Sequence, residues 1–231
     1  MQTTPKISFC TTCMNRFEQL QAVLPKNVSI LKKYGPEVEL VVVNFIVNEE
    51  SLLIDKWIKQ NFQEDLNANS FKYYTTHQLK YWHASKAKNY AHSFGKGRLL
   101  YNLDCDNYLN EKEIDFLLAS DNTPAYIYHG FSSLNKFGDG TYGRICMSQQ
   151  LFQQIGGYNE KLFPVGYQDS DILLRAKKRR KGTITKANIQ NFAIQNNKGK
   201  TVQFIDPKYK IGGKYTWNVL EIINRFFFKY L

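Results

Sequence analysis

Apolar runs and amphipathic stretches alternate along the first three quarters of the chain. Ile7–Thr12 and Val38–Phe45 (Val-Glu-Leu-Val-Val-Val-Asn-Phe) are near-continuous apolar runs, the pattern of strands covered on both faces in a parallel sheet. Phe71–Thr76, Arg98–Leu103, Ala125–Phe131 and Gly143–Met147 are shorter runs of strand character. Between them, apolar residues recur at three- and four-residue spacing over Glu18–Leu31, Leu52–Asn61, Ala84–Phe94, Glu111–Ala119 and Ser148–Ile155, which predicts helices. Gly95-Lys96-Gly97 and Gly156-Gly157 stop two of these, and Gly138-Asp139-Gly140 marks a turn. A helix over Asp169–Lys181 ends at Gly182; two short extended pieces and an aromatic C-terminal helix follow. Strands alternating with helices predict an α/β fold, doubly wound, with a mostly parallel central sheet flanked by helices.

Two carboxylate pairs stand at element ends. The run Leu99-Leu100-Tyr101-Asn102-Leu103 finishes in Asp104-Cys105-Asp106-Asn107. Alternate side chains of a strand share a face, so Asp104 and Asp106 are expected to point the same way. Like charges that close repel unless a cation sits between them, and hard oxygen ligands suit Mg2+ or Mn2+. The C-terminal ends of strands are where open α/β sheets bind nucleotides; a polar turn after a strand is the plain alternative. The second pair is Asp169 and Asp171, in Gly166-Tyr167-Gln168-Asp169-Ser170-Asp171. Asp169 is expected at or near a helix N-cap, where free N–H groups favour its ionised form. Unpaired with any fixed cation, it would serve as a general base. Asp171 would bind an acceptor hydroxyl or simply favour the helix start.

At 231 residues, with 43% hydrophobic and 15% aromatic residues, the chain is expected to bury a full globular core. No run approaches the roughly 20 apolar residues of a membrane span, and Met1–Lys6 leads straight into a strand, so a cytoplasmic location is expected. The four cysteines are scattered and read as reduced thiols; Cys10-x-x-Cys13 has no second pair and reads as packing. Charge is more telling. Residues 1–175 hold 18 basic and 18 acidic side chains, whereas residues 176–231 hold 13 basic and 2 acidic, so the whole net charge of +11 lies in the last quarter. That asymmetry suggests an anionic partner, such as acidic lipid headgroups, nucleic acid or a charged substrate, or else a solvated surface.

Three motifs in order resemble the GT-A type nucleotide-sugar glycosyltransferases, specifically family 2. Thr11-Thr12-Cys13-Met14-Asn15-Arg16 looks like that family's first strand-to-helix loop. Ser85-Lys86-Ala87-Lys88-Asn89-Tyr90-Ala91, Gly97 and Asp104-Cys105-Asp106 are similar to its central helix, strand and metal motif. Gly156-Gly157-Tyr158-Asn159-Glu160 through Gln168-Asp169-Ser170-Asp171 to Arg175 is similar to the segment carrying the base, and also to the C-terminal region of beta-1,4-galactosyltransferases.

The resemblance implies a GT-A domain over residues 1–182, with a nucleotide-binding half at about 1–108 and an acceptor-binding half at about 109–182. Residues 183–231 would form a basic extension, with an amphipathic helix packed on the same domain. It implies inverting transfer from a nucleotide sugar, UDP-linked, to a saccharide or lipid-linked acceptor in surface glycan synthesis. Mn2+ or Mg2+ would sit on Asp106, with Asp104 on the ion or the ribose, and Asp169 would be the base. Thr11, Thr12, Asn15, Arg16, Asn44, Lys86, Asn89 and Asp104 would line the donor side. Trp82, Tyr158, Tyr167 and Asp171 would line the acceptor side. Lys86, Lys88 or Arg144 would add positive charge at the phosphates. Trp82, Tyr158, Phe163 and Tyr167 offer flat faces for sugar rings, with core packing as their ordinary alternative.

The chain departs from the family at three places. Gln168 stands where Glu is common, and Asn44 (or Glu49 or Glu50) stands at the acidic position after the second strand. No His follows His129; Gln195-Asn196-Asn197 occupies the region of the family's metal-binding His. Two other classes stay open: a nucleotidyltransferase, which would need a Gly-rich phosphate loop that Thr11–Arg16 lacks, and a non-catalytic module binding a nucleotide sugar or nucleic acid. The run Lys177–Lys181 ends a helix, where cations are favoured, so nucleic acid is not the expected partner. Val219, Ile222, Ile223, Phe226, Phe227 and Tyr230 make one apolar helix face, with Arg225 and Lys229 on others. That face would lie on an anionic membrane surface, making the protein peripheral, or would dock on its own domain or a partner.

Overall fold

The computed structural model describes residues 4–67, 71–120, 126–180, 184–194, 198–212 and 216–228. Its strands are β1 (Ile7–Cys13), β2 (Val38–Phe45), β3 (Phe71–Thr76), β4 (Leu99–Asn102), β5 (Ile127–His129) and β6 (Ile145–Ser148). The helices are α1 (Phe17–Leu31), α2 (Glu49–Asn61), α3 (Gln63–Asn67), α4 (Ala84–His92), α5 (Glu111–Ala119), α6 (Gln149–Gln154), α7 (Gln168–Arg180), α8 (Lys198–Gln203) and α9 (Thr216–Phe228). The six strands form one sheet in the order β3-β2-β1-β4-β6-β5. β3, β2, β1 and β4 are parallel, and β1 lies between β2 and β4 in register Cys10↔Val41 and Cys10↔Asn102. β6 runs antiparallel to β4 and to β5. The mostly parallel sheet is as expected; β6 alone runs against the other five strands.

Both faces of the central strands are covered, which is why β1 and β2 read as unbroken apolar runs. Ile7, Phe9, Leu40 and Val42 face α1, α2 and α5 in the largest core cluster. Their alternate neighbours Cys10, Val41, Val43 and Phe45 face Ala87 and Ala91 of α4. All four cysteines are buried free thiols. Side chains at the N-caps set where several helices start: Asn48 for α2, Asn110 for α5 and Ser148 for α6.

The C-terminal extension closes on the loop before α7. Val202, Ile205 and Leu220 pack with Val165. The docked stripe of α9 is Thr216, Leu220 and Asn224, all buried and four residues apart. Asn224 donates to the carbonyls of Phe163, Val165 and Gly166 and accepts from the Phe163 N–H at 2.7 Å. On the apolar face read from the sequence, Ile222 is 54% and Phe226 67% exposed, while Val219 and Ile223 are half-buried. A polar clamp, invisible to hydrophobic periodicity, decides which face docks. Among the described residues no helix is long and apolar enough to cross a membrane. Ala125, Lys181, Gly182, Gln195–Asn197, Lys229, Tyr230 and the side chain of Phe227 lie outside what is described.

Candidate active site

A cleft of about 240 Å³ opens at the C-terminal ends of β1 and β4. Thr12 enters it from the end of β1 and Arg16 from the loop between β1 and α1. Asp104 and Asp106 enter from the turn after β4, Lys88 from α4, and Tyr167 and Asp169 from the start of α7. Trp82 lies on one wall, and Thr201, Trp217 and Glu221 of the extension complete it.

β4 ends at Asn102, so the Asp pair lies in the following turn and not on a strand face. That corrects the shared-face expectation, and the two carboxylates have different partners. Asp106 is buried; its Oδ2 accepts from Arg16 Nη2 at 3.0 Å and its Oδ1 from Asn107 Nδ2 at 2.8 Å. Burial, then the charge of Asp104, push the Asp106 carboxyl up to about 6 against the pull of Arg16. Asp104 Oδ1 accepts from Asn102 Nδ2 at 3.0 Å and lies 3.4 Å from Lys88 Nζ, with a third of the side chain exposed.

Asp169 sits in the first turn of α7, and Lys88 Nζ donates to its Oδ1 at 2.8 Å. The expectation of a base unpaired with any cation is therefore corrected. Lys88 is buried, 5.3 Å from the Tyr158 ring centroid, and spans Asp169 and Asp104. Burial works against its ammonium, but the two carboxylates outweigh burial and hold its pKa above the ordinary lysine value. Burial raises the Asp169 carboxyl despite Lys88. Gly143 lets the group come together: a Cβ there would fall 2.5 Å from Asp104 Oδ2 and 3.4 Å from Asp169 Oδ2.

No protein-family model and no curated protein sequence matches the chain. Solved structures do. A mannosyltransferase from Pyrobaculum calidifontis, in complex with GDP-Man and Mn2+, aligns with a TM-score of 0.64 at 12% identity, over 96% of this chain and 70% of its own. S. aureus TarS 1–349 in complex with UDP-GlcNAc aligns with a TM-score of 0.61 at 14% identity, over 83% of this chain and 59% of its own. A mutant of Drosophila beta-1,4-galactosyltransferase 7, in complex with manganese, UDP-Gal and xylobiose, aligns with a TM-score of 0.53 at 14% identity, over 90% of this chain and 82% of its own. The chain has the GT-A glycosyltransferase fold.

In this GT-A fold the cleft gathers Thr12, Arg16, Trp82, Asp104, Asp106, Tyr167 and Asp169 of the residues read from the sequence. Asn15 and Tyr167 are the two non-glycine residues with positive φ, at 53° and 71° among the described residues. Such strain collects at functional loops. Among the described residues the Asn15 side chain and Thr11 Oγ1 are buried with no hydrogen-bond partner, which leaves polar groups unsatisfied beside the cleft.

Other residues read as site residues lie outside the cleft lining. Asn44 Nδ2 donates to the Ser51 carbonyl and the Tyr73 hydroxyl, and Glu50 accepts the Phe17 N–H at the start of α1. Lys86 is exposed and off the cleft. Asn89 clamps Tyr158 through both of its backbone polar groups, and Tyr158 is buried beneath Lys88. Asp171 pairs with Arg175 at 2.7 Å, which favours the helix start. Arg144 is buried against Glu113, away from the cleft, and Phe163 packs on Tyr209. Thr201, Trp217 and Glu221 were not anticipated; they come from the extension, and no motif marks them.

Proposed function

We propose that the chain is an inverting, metal-dependent glycosyltransferase. It moves a sugar from a nucleotide-sugar donor, UDP-linked, to a hydroxyl of a saccharide or lipid-linked acceptor in surface glycan synthesis. One observation carries this reading: Asp104, Asp106 and Asp169 converge in one cleft at the strand ends with two fixed cations among them. The cleft lining carries Arg16 and Lys88 against Asp104, Asp106, Asp169 and Glu221, an excess of negative charge. A donor diphosphate would be repelled there unless a cation came with it.

Mn2+ or Mg2+ fits that deficit and the hard carboxylate oxygens of Asp104 and Asp106. Among the described residues no three His, Cys, Asp or Glu side chains group to hold a metal, so diphosphate and water would supply the rest of the shell. When bound, the ion supplies positive charge for the leaving diphosphate. Asp169 does the proton work. Lys88 holds its Oδ1, and Oδ2, with no protein hydrogen bond among the described residues, accepts the proton of the acceptor hydroxyl as it attacks the anomeric carbon. That is one displacement with inversion and no covalent intermediate. Thr11, Thr12, Asn15 and Arg16 contact the nucleotide, and Trp82 and Tyr167 offer faces for sugar rings.

The structural neighbours that carry GDP-Man, UDP-GlcNAc and UDP-Gal support a nucleotide-sugar donor, and two of these three are UDP sugars. The exposed Ile222 and Phe226, with the basic last quarter, support peripheral contact with an anionic membrane on its cytosolic side.

Release of nucleoside diphosphate from a panel of nucleotide sugars with Mn2+ tests the reading. Asp169→Asn is expected to bind the donor consumed by wild type but to turn it over roughly 100-fold or more slowly. Equal turnover by Asp169→Asn, or consumption of no nucleotide sugar by wild type, would overturn it.

A further inference from the structure

Every carboxylate at the heart of the cleft has a cation: Asp104 and Asp169 share Lys88, and Asp106 has Arg16. Glu221 does not. It lines the same cleft from α9, half-buried, with no hydrogen bond or ion pair among the described residues. A carboxylate held in a cleft with nothing to accept from is unsatisfied until water or a ligand donates to it. One helical turn earlier on α9, Trp217 lines the cleft as well and packs in the cluster that includes Trp82 and Val165. Among the described residues Glu221 does not group with Asp104 and Asp106 as a three-residue metal site.

We infer that Trp217 and Glu221 form a saccharide-binding subsite for the acceptor. The inference rests on the transferase reading and names a recognition device within it. The chemistry is that of a polyol ring. Its C–H face is apolar and stacks on indole, while neighbouring hydroxyls donate to the two oxygens of one carboxylate. The position is built. Gly166, at φ 82°, lets α9 approach so closely that a Cβ there would fall 2.7 Å from Glu221 Cβ and 2.8 Å from its Cα. Asn224 ties α9 to the backbone of Phe163, Val165 and Gly166. That loop leads directly through Tyr167 to Asp169, so the subsite and the base are held by one piece of backbone. The close approach uses the Glu221 backbone and Cβ; its carboxylate makes no hydrogen bond or ion pair among the described residues.

Saturation-transfer NMR of the full chain with UDP and Mn2+ tests the subsite. The probes are monosaccharides and p-nitrophenyl glycosides of xylose, galactose, glucose and N-acetylglucosamine. Wild type is expected to bind at least one of them. Glu221→Gln should weaken that binding about 10-fold or more, and Trp217→Leu should abolish the ring contact. The melting temperature of Glu221→Gln should stay within about 2 °C of wild type. Binding of no saccharide by wild type, or wild-type affinity in Glu221→Gln, overturns the subsite. Donor binding is measured separately on wild type. Its absence beside Glu221-dependent saccharide binding would sink the transferase reading and leave the subsite standing.

Discussion

Gly143→Ala adds one methyl group at the point where the two functional carboxylates meet. Gly143 does not have positive φ, so alanine suits its backbone. The new Cβ would lie 2.5 Å from Asp104 Oδ2, where ordinary contact begins at 3.4 Å, so that oxygen must retreat by about 0.9 Å. Asp104 is a partly exposed side chain with room to rotate, so the fold should lose no more than about 1 kcal/mol. The site loses more. Asp104 must shift against Lys88, at 3.4 Å, and Asn102, at 3.0 Å, the two groups that orient it. A misplacement near 1 Å at a reacting centre costs on the order of 100-fold in rate. The assay is kcat/KM for nucleoside diphosphate release at saturating Mn2+, beside a thermal melt. The expected result is a loss of roughly 10- to 100-fold with melting nearly unchanged. A kcat/KM within about threefold of wild type would show that Asp104 is not positioned for the chemistry.

The remaining predictions concern stability and the surface. Glu113→Gln leaves Arg144 charged and buried without its carboxylate, and should cost about 3–5 kcal/mol, read as a drop of roughly 10 °C in melting temperature. His92 is buried, stacked on Phe152 and bonded to the Lys88 carbonyl, and burial lowers its pKa from 6.5 to about 4. The unfolded chain takes up that proton first, so stability is full above pH 6.5 and falls as pH drops toward 4, by roughly 3 kcal/mol in all. In urea melts at several pH values, His92→Gln should flatten that slope. Wild type should co-sediment with vesicles containing phosphatidylserine at low salt. Ile222→Asp with Phe226→Asp should abolish co-sedimentation if α9 faces the lipid, and unchanged binding would place the contact elsewhere.

What was legible in the sequence was whatever the local period encodes. β1 and β2 are long and covered on both faces, so their apolar runs stand out, whereas α2, expected from Leu52, starts at Glu49 because Asn48 caps it. The sequence places two short extended pieces, without bounds, between α7 and the C-terminal helix; α8 (Lys198–Gln203) lies in that stretch with no apolar periodicity to mark it, and its Val202 packs with Val165 of the loop before α7. The reversed course of β6, between β4 and β5, depends on which strand edges it meets, and its four-residue run does not specify that. Site residues divide the same way. Asp104, Asp106 and Asp169 stand out by motif, but their partners do not. Lys88 is 81 residues from Asp169, and Arg16 is 90 from Asp106. Glu221 looked like one of the few acids in a basic tail until the fold carried it to the cleft.

The account turns on a donor bound through a divalent ion at Asp104 and Asp106. Calorimetric titration of nucleotide sugars into the protein, with Mn2+ and then with EDTA, tests that most directly. The account predicts that one donor binds with Mn2+, fails to bind in EDTA, and fails to bind Asp106→Ala under either condition. Equal affinity in EDTA, or no binding of any nucleotide sugar with metal present, would contradict it.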